Sequence, residues 1–223
     1  MSDGTSTVGM LGDLPPFQAL LLAYAVPAEQ PWHRLCWLLD QRLAQVVRRG
    51  GEPTIAAIRL AWWDAVLVEG DLAKGGGEPL VEAWRKAAPS AAAPLVEQLI
   101  DGWRGLLGAE SLSMEELTAF GRKRGGALFG LLSRTPEEAV ACGGAVWALW
   151  DLAGHSGDPE LAMAALSVAR DMSGDGAFPR DRRLKPLRLS YAIARADVMA
   201  GRIPIGGFEA RHYRRLLWRS LVG

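Results

Sequence analysis

Apolar residues recur at three-and-four spacing along nearly the whole chain, and the strict alternation of a half-buried strand is almost absent. From Trp32 to Arg49 they fall at Leu35, Leu38, Leu39, Leu43, Val46 and Val47, one stripe of an amphipathic helix that Gly50-Gly51 ends. Pro15 and Pro16 open an earlier apolar segment running to Ala25. After Pro53 the pattern over Thr54–Glu69 is unusual. Ile55, Ile58, Trp62 and Val66 gather on one side, and Ala56, Leu60, Trp63 and Leu67 on another, roughly 120° away at about 100° per residue. A helix apolar on two faces is expected inside a bundle, so both Trp62 and Trp63 are expected to be buried. Arg59 can reach either indole at i+3 and i+4, as a packing feature or as an anion contact.

Further helical patterns cover Leu80–Ala87, Leu95–Leu107, Asp158–Met172, Lys185–Ala200 and Phe208–Leu221. Ser113-Met-Glu-Glu116 and Thr135-Pro-Glu-Glu138 both read as capping boxes, opening helices that run to about Arg134 and Ala153. Asp71–Pro79, with Gly75-Gly76-Gly77, and Gly174–Arg183 read as loops. About ten helices joined by short connections predict an all-α fold. Residues 1–13 are expected to be disordered or poorly ordered, ahead of a single domain over 14–223.

Composition narrows the function classes. With 223 residues, 49% of them apolar and 25 basic side chains balancing 25 acidic ones, the chain is globular rather than disordered. Cys36 and Cys142 are too far apart for a CxxC pair, and His33, His155 and His212 each stand without a neighbour at ligand spacing. That argues against a structural zinc site and for a reduced, cytoplasmic setting. The apolar stretch Phe17–Val26 stops at Pro27, short of the roughly 20 residues a membrane span needs. The charge is split, however. Residues 180–223 carry 11 Lys+Arg against 3 Asp+Glu, and residues 1–179 carry 14 against 22. Either the two parts neutralise each other, or the basic tail, with Arg211, Arg214, Arg215 and Arg219 on its last helix, meets an acidic partner or the surface of an anionic membrane as a peripheral protein.

Glu52-Pro-Thr-Ile-Ala-Ala-Ile-Arg-Leu-Ala-Trp-Trp-Asp64 resembles the EPxLxxIRLxWW segment of the squalene/phytoene synthase superfamily, closest to the branch of the mitochondrial complex I assembly factor. Supporting stretches follow in order from about Phe17: Leu35–Val47, Leu99-Ile-Asp-Gly102, Leu117–Phe129, Gly144–Leu152, Leu184-Lys-Pro-Leu187 and Arg211–Leu221. The resemblance implies an isoprenoid-synthase-like helical bundle around a central cavity. Active members of that superfamily condense two prenyl diphosphates, with Mg²⁺ held by two DxxxD motifs on helices facing each other across the cavity. The metal neutralises each diphosphate as its allylic C–O bond ionises.

Here the first motif's aspartate places fall at Ala44, Gln45 and Arg48, with Asp40 alone one turn earlier. The second motif's helix offers Asp151 but Trp147 and His155 at the flanking positions. Both clamps are missing, so the facing positions are expected to be mostly neutral or apolar. Asp171-Met-Ser-Gly-Asp175 matches DxxxD literally and is either a displaced metal site or a helix end where the two carboxylates need not share a face.

The reading that follows is a protein without catalytic residues or a cofactor, acting as a binding or assembly factor, in respiratory-complex biogenesis if the branch is the guide. The alternative is an active prenyltransferase of phytoene or squalene synthase type using Mg²⁺. Candidate residues for a cavity or a hydrophobic, isoprenoid-like ligand are Arg59, Trp62, Trp63, Gly125, Gly126 and Trp147. Gly125-Gly126 and Gly143-Gly144, inside helical patterns, serve either close helix packing or space for a prenyl tail. Arg122-Lys123-Arg124 is expected to be a solvated or phosphate-facing turn, too short for nucleic acid. A protein partner is compatible with every one of these features.

Overall fold

The computed structural model describes residues 11–48, 52–109, 111–135, 137–174, 178–204 and 210–222, the last with side chains over 211–218. Its regular structure is helical, with no strand among these residues. In chain order the helices are α1 (Pro16–Ala23), α2 (Gln30–Arg48), α3 (Pro53–Leu67), α4 (Pro79–Ala87), α5 (Ala93–Arg104), α6 (Met114–Phe120), α7 (Ala127–Ser133), α8 (Glu138–His155), α9 (Pro159–Met172), α10 (Lys185–Met199) and α11 (Ala210–Val222). A π-helical turn, Gly121–Gly126, joins α6 to α7 without a break. Among the described residues no helix is long and apolar enough to cross a membrane.

The interior helix is α8. Between Val140 and Ala153 its one charged side chain is Asp151, and all of Gly143 to Ala153 are buried. A helix apolar all round has to be covered all round; the π turn, α7, α9 and α10 surround it. The expectation that Thr54–Glu69 lies inside is therefore corrected. In α3, Leu60, Trp63, Val66 and Leu67 are buried, but Ile55 is 47% and Ile58 65% exposed, and Trp62 is half-buried. One apolar face is covered through Leu60, Trp63 and Leu67, whereas the other is covered only towards its C-terminal end, at Trp62 and Val66.

Caps decide two boundaries. Ser113 and Glu116 form the full capping box of α6, and the Asp158 side chain accepts from the Glu160 amide at the start of α9. The box expected at Thr135 does not form. Arg134 adopts the left-handed conformation (φ 56°), and α8 starts at Glu138 without a side-chain cap. Its guanidinium lies over the Trp32 ring at 4.9 Å, which secures that turn. Of the residues expected to be poorly ordered, 1–10 lie outside the described ones. Leu11 is buried and the Gly12 carbonyl accepts from Arg34 at 2.6 Å, so the chain is tied down from there.

Backbone contact, not side-chain packing, seats the π turn. A Cβ on Gly125 would stand 2.0 Å from the Gly144 carbonyl oxygen, and one on Gly144 2.1 Å from that of Gly125. On the other side, a Cβ on Gly102 of α5 would stand 2.6 Å from the Arg124 amide nitrogen. Only glycine allows either approach, and together they wedge the turn between α5 and α8.

Candidate functional site

Arg124 lies in the π turn, where Arg122 and Lys123 are exposed, whereas Arg124 is 2% exposed and faces inward. Lys123 meets Asp101 at 3.5 Å on the surface. The expectation of a solvated basic turn therefore holds for two of the three residues and is corrected for the third.

Arg124 spans the gap between α2 and α8. Its Nε and Nη2 donate to Asp40 Oδ1 and Oδ2 at 3.0 and 2.9 Å, and its Nη1 lies 2.8 Å from Asp151 Oδ2. Asp40 also accepts from Trp103 Nε1 at 2.8 Å, while Arg48 Nη2 reaches Asp151 Oδ2 at 3.2 Å. His155 Nδ1 lies 3.4 Å from Asp151 Oδ1 and 2.7 Å from its own helix's Asp151 carbonyl. The guanidinium rests against Trp103 (4.2 Å) and Trp147 (4.9 Å). Burial would by itself lower the Arg124 pKa, but Asp40 and Asp151 outweigh it and keep the group charged. Burial would likewise raise the Asp151 carboxyl; Arg124, then His155 and Arg48, hold it below the usual carboxylate range.

This cluster forms the floor of a cavity of about 520 Å³ between α1, α2 and α8. Phe17, Trp37 and Trp150 supply apolar walls, and Arg48 and His155 stand at the more exposed mouth. Two amide oxygens in the lining, Gln18 Oε1 and Gln41 Oε1, are buried and accept no hydrogen bond among the described residues. A polar ligand group that donates a hydrogen bond would satisfy them.

Of the positions expected to be mostly neutral or apolar, Gln41, Ala44, Gln45, Trp150 and Gly154 line the cavity, and Asp40, Arg48 and Asp151 add to them an ionic cluster that the expectation did not include. Ala44, Gln45, Arg48, Asp151 and His155 all line it, and Asp40, far from standing alone, is paired twice. Trp147 lies beneath the floor, edge-on to Trp37 and stacked on Phe129. Arg59, Trp62 and Trp63 do not line the cavity. Arg59 is exposed beside a groove of about 130 Å³ with Val46, Ile55 and Leu106, and the two indoles pack edge to face on each other at 5.0 Å. Arg59 makes no cation–π contact among the described residues. Gly125 serves the helix crossing, and Gly126 borders a separate pocket of about 310 Å³ near Leu95 and Cys142. Asp171 is exposed in the last turn of α9, and Asp175 lies outside the described residues.

Arg124 is the residue that spacing alone did not single out. Its signal was indirect: Asp40 and Asp151 each sit alone on otherwise apolar helix faces, and a buried carboxylate requires a cation. Magnesium does not fit that role here. Both carboxylates already receive a guanidinium and further N–H donors, and no cluster of three or more acidic, His or Cys side chains suited to a metal exists among the described residues. Compared with known protein families, with curated proteins and with solved structures, the chain matches none.

Proposed function

We propose that this chain is a squalene/phytoene synthase-like binding protein that takes an amphiphilic, isoprenoid-like molecule into the cavity between α1, α2 and α8 without metal-dependent prenyl transfer. The observation that carries the reading is the bridge Asp40–Arg124–Asp151. Ionising an allylic diphosphate builds up charge that several oxygen-bound Mg²⁺ ions normally stabilise, and this electrostatic support is usually the largest catalytic term. In this chain Ala44, Gln45 and Arg48 stand at the first motif's carboxylate places, and the two carboxylates nearby, Asp40 and Asp151, hold a fixed monovalent cation. What remains is a site that can bind: aromatic walls for an apolar chain, with Arg48, His155 and two unsatisfied amide oxygens for its polar end. The sequence resemblance to the complex I assembly branch is what points to a role as an assembly factor in respiratory-complex biogenesis, by analogy.

The test is a pair of measurements on the full chain. Farnesyl and geranylgeranyl diphosphates are incubated with a magnesium titration, and diphosphate release is followed; none is expected. Farnesol and geranylgeraniol are then titrated by calorimetry, where saturable binding weakened by Trp37→Ala is expected. Magnesium-dependent diphosphate release would restore the prenyltransferase alternative. No diphosphate release and no saturable binding of either alcohol would leave a purely structural helical protein.

A further inference from the structure

The last helix presents a face that no part of the cavity reading uses. Helix α11 is anchored through one side: His212 and Leu216 are buried, and His212 Nε2 lies 2.7 Å from Asp197 Oδ2 of α10. His212 also packs edge-on against Trp150 at 5.9 Å. Around the same buried Asp197 gather Arg202 (3.4 Å), Arg211 (3.8 Å) and Arg215 (3.5 Å). These three arginines thus meet an aspartate of the basic segment itself. Arg219's side chain lies outside the described residues.

Outward, Tyr213 is 43%, Leu217 57% and Trp218 66% exposed, and Arg214 is exposed with them. At about 100° per residue, the order around the helix is Tyr213, Leu217, Arg214, Trp218, then the half-buried Arg211 and Arg215. Aromatic rings and an aliphatic side chain therefore alternate with guanidiniums over one arc. A groove on another protein would call for a contiguous apolar stripe, and Arg214 interrupts one here. A lipid headgroup layer suits the alternation: indole and phenol rings settle at the level of the interface while arginines meet phosphates. The charge is complementary as well, since with Asp197 counted residues 180–223 still hold 11 Lys+Arg against 3 Asp+Glu.

We propose that the outer face of α11, built on Tyr213, Arg214, Leu217 and Trp218, docks this protein on the surface of an anionic membrane. One short helix with few anchors gives reversible attachment that depends on ionic strength. The proposal is independent of what the cavity binds.

Vesicle flotation of the full chain tests it, with phosphatidylcholine vesicles compared with vesicles that also contain phosphatidylglycerol. The chain is expected to float with the anionic vesicles at low salt and to be released at high salt. Trp218→Ser with Leu217→Ser is expected to weaken binding at least about tenfold, and Arg214→Gln about fivefold. Both variants should keep wild-type helicity by far-UV circular dichroism, since the altered positions are exposed. Absence of binding at low salt, equal recovery on neutral vesicles, or a doubly substituted variant that binds as well as wild type would overturn the proposal. Concentration-dependent self-association that Trp218→Ser abolishes, without vesicle binding, would overturn it too and assign the face to a second copy of the chain.

Discussion

Replacing Arg124 by Met removes the cation from between two buried carboxylates while keeping much of the side-chain volume. Asp40 is 5% and Asp151 8% exposed, so little water reaches either carboxylate, and Arg48 and His155 stay beside Asp151 alone. Breaking a buried pair in this way typically costs about 3–5 kcal/mol. In a chain of this size that corresponds to a fall in Tm of roughly 6–20 °C. Acidity should change the size of the effect. In the wild type, burial raises the Asp151 pKa but Arg124, His155 and Arg48 lower it further, leaving it depressed. The stability Asp151 contributes is then present above its unfolded pKa of about 3.9 and is lost as pH falls through the folded value. In the variant the strongest lowering partner is gone and burial opposes ionisation, so protonation relieves the penalty. Urea unfolding followed by circular dichroism should show a gap between wild type and Arg124→Met that is larger at about pH 8 than at about pH 4.5. Adding Asp40→Asn and Asp151→Asn to Arg124→Met should recover most of the loss, because a neutral hydrogen-bonding cluster carries no unpaired charge. A cost below about 1 kcal/mol, or one equal at both pH values, would refute the reasoning.

Other outcomes follow from separate features. Gly125→Ala places a Cβ 2.0 Å from a backbone oxygen and should cost 3 kcal/mol or more, roughly, whereas Gly126→Ala, 3.5 Å from its nearest neighbour, should be neutral or add about 0.5–1 kcal/mol in thermal unfolding. His33 is buried and its pKa is lowered to about 4, burial being the main cause. Its unfolded form binds the extra proton first, so stability should fall as pH drops from about 6.5 towards 4, by up to about 3 kcal/mol, and His33→Leu should flatten that limb of the acid titration. Asp197→Ala strips the acceptor from His212 and Trp150 and should release α11, seen as faster limited proteolysis near residues 202–214. Ile58→Ser should change stability by no more than about 0.5 kcal/mol, since the side chain is 65% exposed.

Helical class and most boundaries were legible because period, capping residues and glycine stops agreed over long stretches, as at Ser113–Glu116 and Asp158–Glu160. Which helix lies inside was misread at Thr54–Glu69. Two apolar faces state that a helix can be buried on both sides, but its neighbours decide whether it is, and α8 occupies that place instead. The uninterrupted apolar and small residues from Val140 to Trp150 carried the stronger signal. The site was half legible. Asp40 and Asp151 were recognised as isolated carboxylates on the right two helices, but their joining residue depends on a π turn, whose wider winding leaves no periodic trace over six residues. Arg59, Trp62 and Trp63 drew attention through their density in sequence, whereas cavity lining depends on which side of α3 the core fills.

An arginine held at the floor of a cavity differs from a metal ion in how it comes to be there. Arg124 arrives with the polypeptide and is seated when the π turn packs between Gly102 and Gly144. A metal site fills according to the ratio of free ion to dissociation constant; no such ratio governs a side chain. The guanidinium that links the two carboxylates is thus indifferent to chelators, to dilution and to the metal supply of the cell. Folding and loading are a single event, and every folded molecule carries the charge in one-to-one stoichiometry.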